Sequence, residues 1–260
     1  MNSGFIKVNN KNIFYKFINS EFFDNTDDVL IFLHEGLGSI GQWKEFPQKL
    51  SDNLKIPALV YDRYGYGKSD GLSESRTLNY LEEDAENFMP QIFNKLLKPN
   101  SKKILIGHSD GGSLAILYAA MFPNDTKAII TEAAHLFVEE ITYNGVKKMY
   151  GIFYEKNLKK RFEKYHGENT VSMFHGWHDV WTNPNYFSWN IEKYLKLIQC
   201  PVLAIQGDKD EYGTLKQLES LKNNIKSPCQ IEIIKDCGHI PHFEAEKEVK
   251  NIMTNFIMNL

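Results

Sequence analysis

A serine, a histidine and a carboxylate in this chain have the residue types and spacing for nucleophilic chemistry. The serine is Ser109, within GHSDGG (107–112), where glycines stand two residues before and two after it. Glycine at both positions lets the backbone turn sharply enough to hold a serine clear of its surroundings. A serine hydroxyl is a poor nucleophile at neutral pH, so it needs a base, and the base needs an orienting carboxylate. A carboxylate-rich turn, DKDEYG, begins at Asp208, and a histidine-bearing one, DCGHIPHFE, begins at Asp236. The chemistry this set implies is acyl transfer through a covalent ester on the serine.

Such groups must be brought together by the elements that carry them. GFIKVNN and NIFYKFI read as an opening hairpin joined around Asn9 and Asn10. Apolar runs at 28–34, 56–62, 102–108, 127–133 and 200–207 have the continuous Val/Ile/Leu character of strands buried on both faces. The run at 229–236 alternates as an edge strand does. Helical patterns fall between them, at about 77–97, 110–122, 214–224 and 244–259. This alternation predicts an α/β fold with a doubly wound, mostly parallel sheet. Ser109 then stands where the strand KKILIG meets the helix GSLAILYAAMF, the strand–turn–helix setting of a nucleophile elbow. The acid and the histidine each follow a strand, on the same rim.

One region breaks the pattern. Residues 135–194 hold no buried-strand run, only helical patterns rich in aromatics, and sixty residues is too long for a simple connection. They read as a helical cap inserted into a core made of 1–134 and 195–260. Trp177 and Trp181 from this cap, with His135 at its start and Leu37 from the core, are the expected pocket walls. Trp189 lies in an aromatic stripe expected to be mainly cap core, and His175 and His178 are expected to pack within the cap. The lysine-rich NLKKRFEKY reads as a solvated helix face, so no basic cluster is expected on the cap.

Composition narrows the classes further. With 42% hydrophobic and 24% charged residues the chain is an ordinary globular one. A net charge of −3 with scattered lysines gives no reason to expect nucleic acid. No stretch is apolar enough to span a membrane, and the amino terminus has no signal-peptide pattern. Three cysteines without metal-ligand spacing favour free thiols in a reducing cytoplasm. The expected partner is a small-molecule substrate; the chain is expected as a monomer or homodimer, with neither metal nor organic cofactor. His242 follows His239 by three residues, but no further ligands stand at zinc spacing.

The stretches LHEGLGSIGQW, YDRYGYGKSD, GHSDGGSLA, PVLAIQGDKDEYG and CGHIPH together resemble the α/β-hydrolase superfamily over essentially the whole chain. The resemblance implies Ser109 as nucleophile, Asp210 as the acid and His239 as the base. It also implies an oxyanion hole of two backbone amides, one from Asp110 and one from Gly36, with Leu37 second in line for the latter. Asp208 and Glu211 are the competing carboxylates, read as turn or surface charges. Glu35 departs from the family pattern, where glycine is commoner; Arg63 is its expected partner. His34 is expected to support the loop. The leading function is an esterase (carboxylesterase-like). A C–C bond hydrolase or acyltransferase on the same triad, and a non-catalytic binding protein, are the alternatives.

Overall fold

The computed structural model describes residues 2–260. The chain opens with a hairpin of β1 (Ser3–Val8) and β2 (Lys11–Ile18). Asn9 and Asn10 take left-handed φ values of 48° and 62° in its two-residue turn, where asparagine is well tolerated. The strands β3 (Asp28–Leu33), β4 (Ala58–Tyr61), β5 (Lys102–His108), β6 (Thr126–Glu132), β7 (Val202–Gly207) and β8 (Cys229–Ile234) complete one sheet. Its order is β1-β2-β4-β3-β5-β6-β7-β8. The last six strands of that order run parallel, and the hairpin pairs antiparallel at one edge. This is the sheet the strand–helix alternation predicts.

Both faces of the sheet are covered, and β3 shows how. Val29, Ile31 and Leu33 point into one apolar core while Leu30 and Phe32 point into the other. The second core is closed by α1 (Phe46–Leu54) through Leu50. The first is closed by α2 (Tyr80–Glu83), α3 (Met89–Leu96) and the long α4 (Asp110–Met121). Residues 110–120 of α4 are buried all round, because the helix lies between the sheet and a further helical layer.

Two local readings need correction. The single helix expected at 77–97 is broken by a π turn at Asp84–Phe88 between α2 and α3. Pro90 has no N–H to give back along the helix, which favours such a break. Helix α1 was missed, although Pro47 near its start and the Phe46–Leu50 spacing are helix signals.

Between β6 and β7 the chain forms α5 (Glu140–Glu155), α6 (Leu158–His166), α7 (Thr170–Trp181) and α8 (Glu192–Leu195). The two ends of this insertion are stitched together. Phe137 and Asn190 form a β-bridge, and the Ile191 amide donates to Leu136 at 2.7 Å. After β7 come α9 (Lys216–Asn224), α10 (Pro241–Glu244) and α11 (Glu246–Met258). Among the described residues no helix is long and apolar enough to cross a membrane.

Candidate active site

Strand order reverses at β3, since β4 lies on one side of it and β5 on the other. Ligands of such sheets sit beyond the carboxyl ends of the strands at this point. Ser109 is there, between the end of β5 and the first residue of α4, with φ 53° and ψ −117°. That strained conformation is held by the Ser109 amide donating to Glu132 O at 2.8 Å and by Ser113 N–H donating to Ser109 O at 3.1 Å. The flanking glycines are sterically required. A Cβ on Gly107 would lie 2.0 Å from the Gly111 carbonyl oxygen, and one on Gly111 would lie 1.9 Å from that of Leu33. The turn is too tight for a side chain at either glycine.

Asp210 and His239 follow β7 and β8. His239 Nδ1 is 2.8 Å from Asp210 Oδ1, with both side chains buried. Asp210 is fixed by three further donors: the amides of Tyr212 (2.8 Å) and Gly213 (3.2 Å), and the Gln206 side-chain amide (3.2 Å). Burial pushes the Asp210 carboxyl up, but the hydrogen bond and charge of His239 and the Tyr212 amide bring it below the usual carboxylate range. Burial pushes His239 down, and the bond and charge of Asp210 more than reverse this, raising it above an ordinary histidine. The Tyr212 ring packs on the imidazole with centroids 4.8 Å apart. Asp208 and Glu211 are exposed.

Ser109, His239 and the amide-bearing residues Gly36, Leu37 and Asp110 all line one cavity of about 270 Å³. None of those three amides donates to any group among the described residues. Asp110 heads α4, so its N–H belongs to the unpaired first turn of a helix. His135, Trp177 and Trp181 line the same cavity. Trp177 lies directly over Gly36, where a Cβ would meet its Nε1 at 2.2 Å. Trp189 does not line it; its Nε1 donates to Glu82 and its ring stacks on Tyr186.

The loop after β3 is braced from three sides. His34 Nδ1 donates to Glu35 O at 2.8 Å, while Nε2 accepts from the Arg63 amide at 3.1 Å. His166, at the end of α6, donates from Nε2 to Leu37 O and accepts at Nδ1 from Gly67 N–H, joining the insertion to two core loops. Arg63 does not pair with the Glu35 carboxylate as expected. Its guanidinium donates to the Glu35 carbonyl oxygen at 3.1 Å and lies 3.4 Å from the carboxylates of both Asp84 and Asp110. Tyr80 donates its hydroxyl proton to Asp110 at 2.5 Å and accepts from Trp181 Nε1 at 2.9 Å. Arg63 is taken because two buried carboxylates outcompete one that reaches the cavity.

The cavity also draws in residues the pattern left aside. Leu158, Arg161 and Phe162 line it from α6, so NLKKRFEKY is not merely a solvated face. Their i, i+3, i+4 spacing was the available signal. Thr142 and Val146 line it from α5 at the same spacing. His178 is buried against Phe174 in the insertion, while His175 is part-exposed and accepts from the Tyr154 hydroxyl. His242 is buried with Glu132, donating its amide at 2.8 Å.

A strained serine, a carboxylate-bound imidazole and free amides thus meet around one cavity. A family model described as the alpha/beta hydrolase fold matches residues 28–192, and the chain belongs to that family. It is 24% identical over 294 residues to the proline iminopeptidase of Saccharolobus solfataricus, covering 98% of this chain and 91% of that one. It is 24% identical over 255 residues to lipase 3 of Moraxella sp. (strain TA144), covering 87% and 76%. Among solved structures, a membrane phospholipase A described as a bacterial virulence factor shares the fold with a TM-score of 0.76. Identity to it is 20%, with 99% of this chain and 86% of that one covered.

Proposed function

We propose that the protein hydrolyses a small to medium carboxylic ester with Ser109 as nucleophile, His239 as base and Asp210 as the orienting acid. The observation that carries this reading is the 2.8 Å bond from His239 Nδ1 to Asp210, made beside a serine that shares the imidazole's cavity. His239 takes the proton from Ser109 Oγ as the oxygen attacks the ester carbonyl, then passes it to the departing alkoxide, leaving an acyl-enzyme and a free alcohol. A water, deprotonated by the same imidazole, releases the acid and restores the serine. The amides of Asp110 and Gly36 supply the oxyanion hole, with Leu37 second; one such donor is typically worth ~3 kcal/mol. A panel of esters of increasing acyl length, paired with a phosphonate probe and mass spectrometry, tests the reading. Turnover with stoichiometric label on Ser109 supports it; an unlabelled Ser109 and no turnover would overturn it.

The ester pH profile is expected to carry a signature of Asp210. Only neutral His239 can accept a proton, and its pKa is raised above that of an ordinary histidine. Hence kcat/KM falls with acidification, with its midpoint on the alkaline side of the ordinary histidine value, ~6.5. Asp210→Asn removes the charge that raises His239 while burial still lowers it, so the midpoint of the residual activity moves to lower pH. An unmoved midpoint contradicts the pairing.

A further inference from the structure

Glu35 is an acidic side chain at the cavity to which the mechanism gives no task. It stands next to Gly36, lines the cavity of Ser109, and also lines a second cavity of about 220 Å³ that shares His108, Arg161 and Phe162 with the first. The side chain is 24% exposed, which leaves it open to a ligand in the cavity. Its contacts are weak. The Gln42 amide donates to Oε1 at 3.4 Å, and His108 Nδ1 is 3.9 Å from Oε2. His108 Nε2 donates to His239 O at 2.7 Å, which leaves Nδ1 as an acceptor, and burial holds this ring neutral. Arg63 is committed to Asp84, Asp110 and the Glu35 carbonyl. Among the described residues the Glu35 carboxylate forms no ion pair with lysine or arginine.

Burial raises the Glu35 carboxyl above its usual range, and in its ionised form, one residue from an oxyanion donor, it opposes the charge that builds up in acyl transfer. The opposition disappears when a cation occupies the carboxylate, and among the described residues no lysine or arginine, Arg161 of the same cavities included, lies within 4 Å of it. We propose that Glu35 is a specificity-determining residue that receives an ammonium group of the substrate, so that the preferred acyl compounds carry a protonated amine close to the scissile carbonyl. The inference rests on the ester reading above. The ammonium neutralises Glu35 and adds its own field in favour of the oxyanion, so binding and turnover both gain.

Alanine ethyl ester and ethyl 2-methylpropanoate form a matched pair, with an ammonium in one where the other has a methyl group. Turnover of both is measured by proton release, in the wild type and in Glu35→Gln, which keeps the side chain's size and its contact with Gln42. The wild type is expected to favour the alanine ester by roughly tenfold or more in kcat/KM, the range between an exposed and a buried ion pair. Glu35→Gln is expected to erase that preference, lowering the alanine ester and raising the neutral one severalfold. A preference for the neutral ester, or one that survives Glu35→Gln in a folded variant, overturns the inference while leaving the ester reading standing. If the wild type cleaves neither, the ester reading fails and calorimetry with alaninamide decides the remainder. Binding lost in Glu35→Gln supports the ammonium site; equal or absent binding in both proteins overturns it.

Discussion

Ser109→Ala is expected to lower kcat/KM for an ester by roughly 10⁴ to 10⁶ while leaving the fold intact. The strained turn does not depend on the hydroxyl: Ser109 is held by backbone bonds to Glu132 and Ser113, and the close approaches that force the turn are made by Gly107 and Gly111. His239→Ala should cost a comparable factor, and Asp210→Asn about 10⁴. The losses should be strongly non-additive, with Ser109→Ala and His239→Ala together hardly worse than either, because each alone disables the proton transfer. Asp208→Asn is the control, on an exposed carboxylate two residues away. Steady-state kinetics with melting curves decides the assignment. Damage at Asp208 and none at Asp210 would show that the acid has been misplaced.

Arg63→Met should be the most destabilising single change in the core near the site, by about 3–5 kcal/mol. Methionine keeps much of the stem but leaves Asp84 and Asp110 buried without this cation, and both carboxylates have less than a tenth of their side-chain surface exposed. At about 2–4 °C per kcal/mol for a chain of this size, the melting temperature should fall by roughly ten degrees. Adding Asp84→Asn should recover part of the loss, since it removes one of the stranded charges. A melting temperature within a degree or two of the wild type would mean that Arg76, 3.9 Å from Asp84, carries the cluster instead.

What the sequence disclosed was mostly local. The elbow could be read because every contact that forces it lies within a few residues of Ser109 or in the two adjoining strands. The sheet could be read because burial on two faces leaves continuous apolar runs, and β8 betrayed its edge position by alternating. The partner of Glu35 could not be read. Arg63 gathers groups from residues 35, 84 and 110, and the competition is decided by depth, which spacing does not encode. Arg161 was hidden for the opposite reason. A basic run on an amphipathic helix looks the same whether the helix faces water or the rim of a cavity, and only packing against the core tells them apart.

The bridge between Phe137 and Asn190 brings the two ends of the helical segment together. Chain leaves the sheet and returns to it at almost one point, so the strands on either side meet the same geometric demand whatever is strung between them. The entropy of closing such a loop rises only slowly with its length. The segment is tied to the core at several points, Trp181 to Tyr80, Trp189 to Glu82 and Asn169 to Gly67 and Ser69; at His166 it reaches Leu37 and Gly67, and without that imidazole the loop beside Gly36 loses its outer brace.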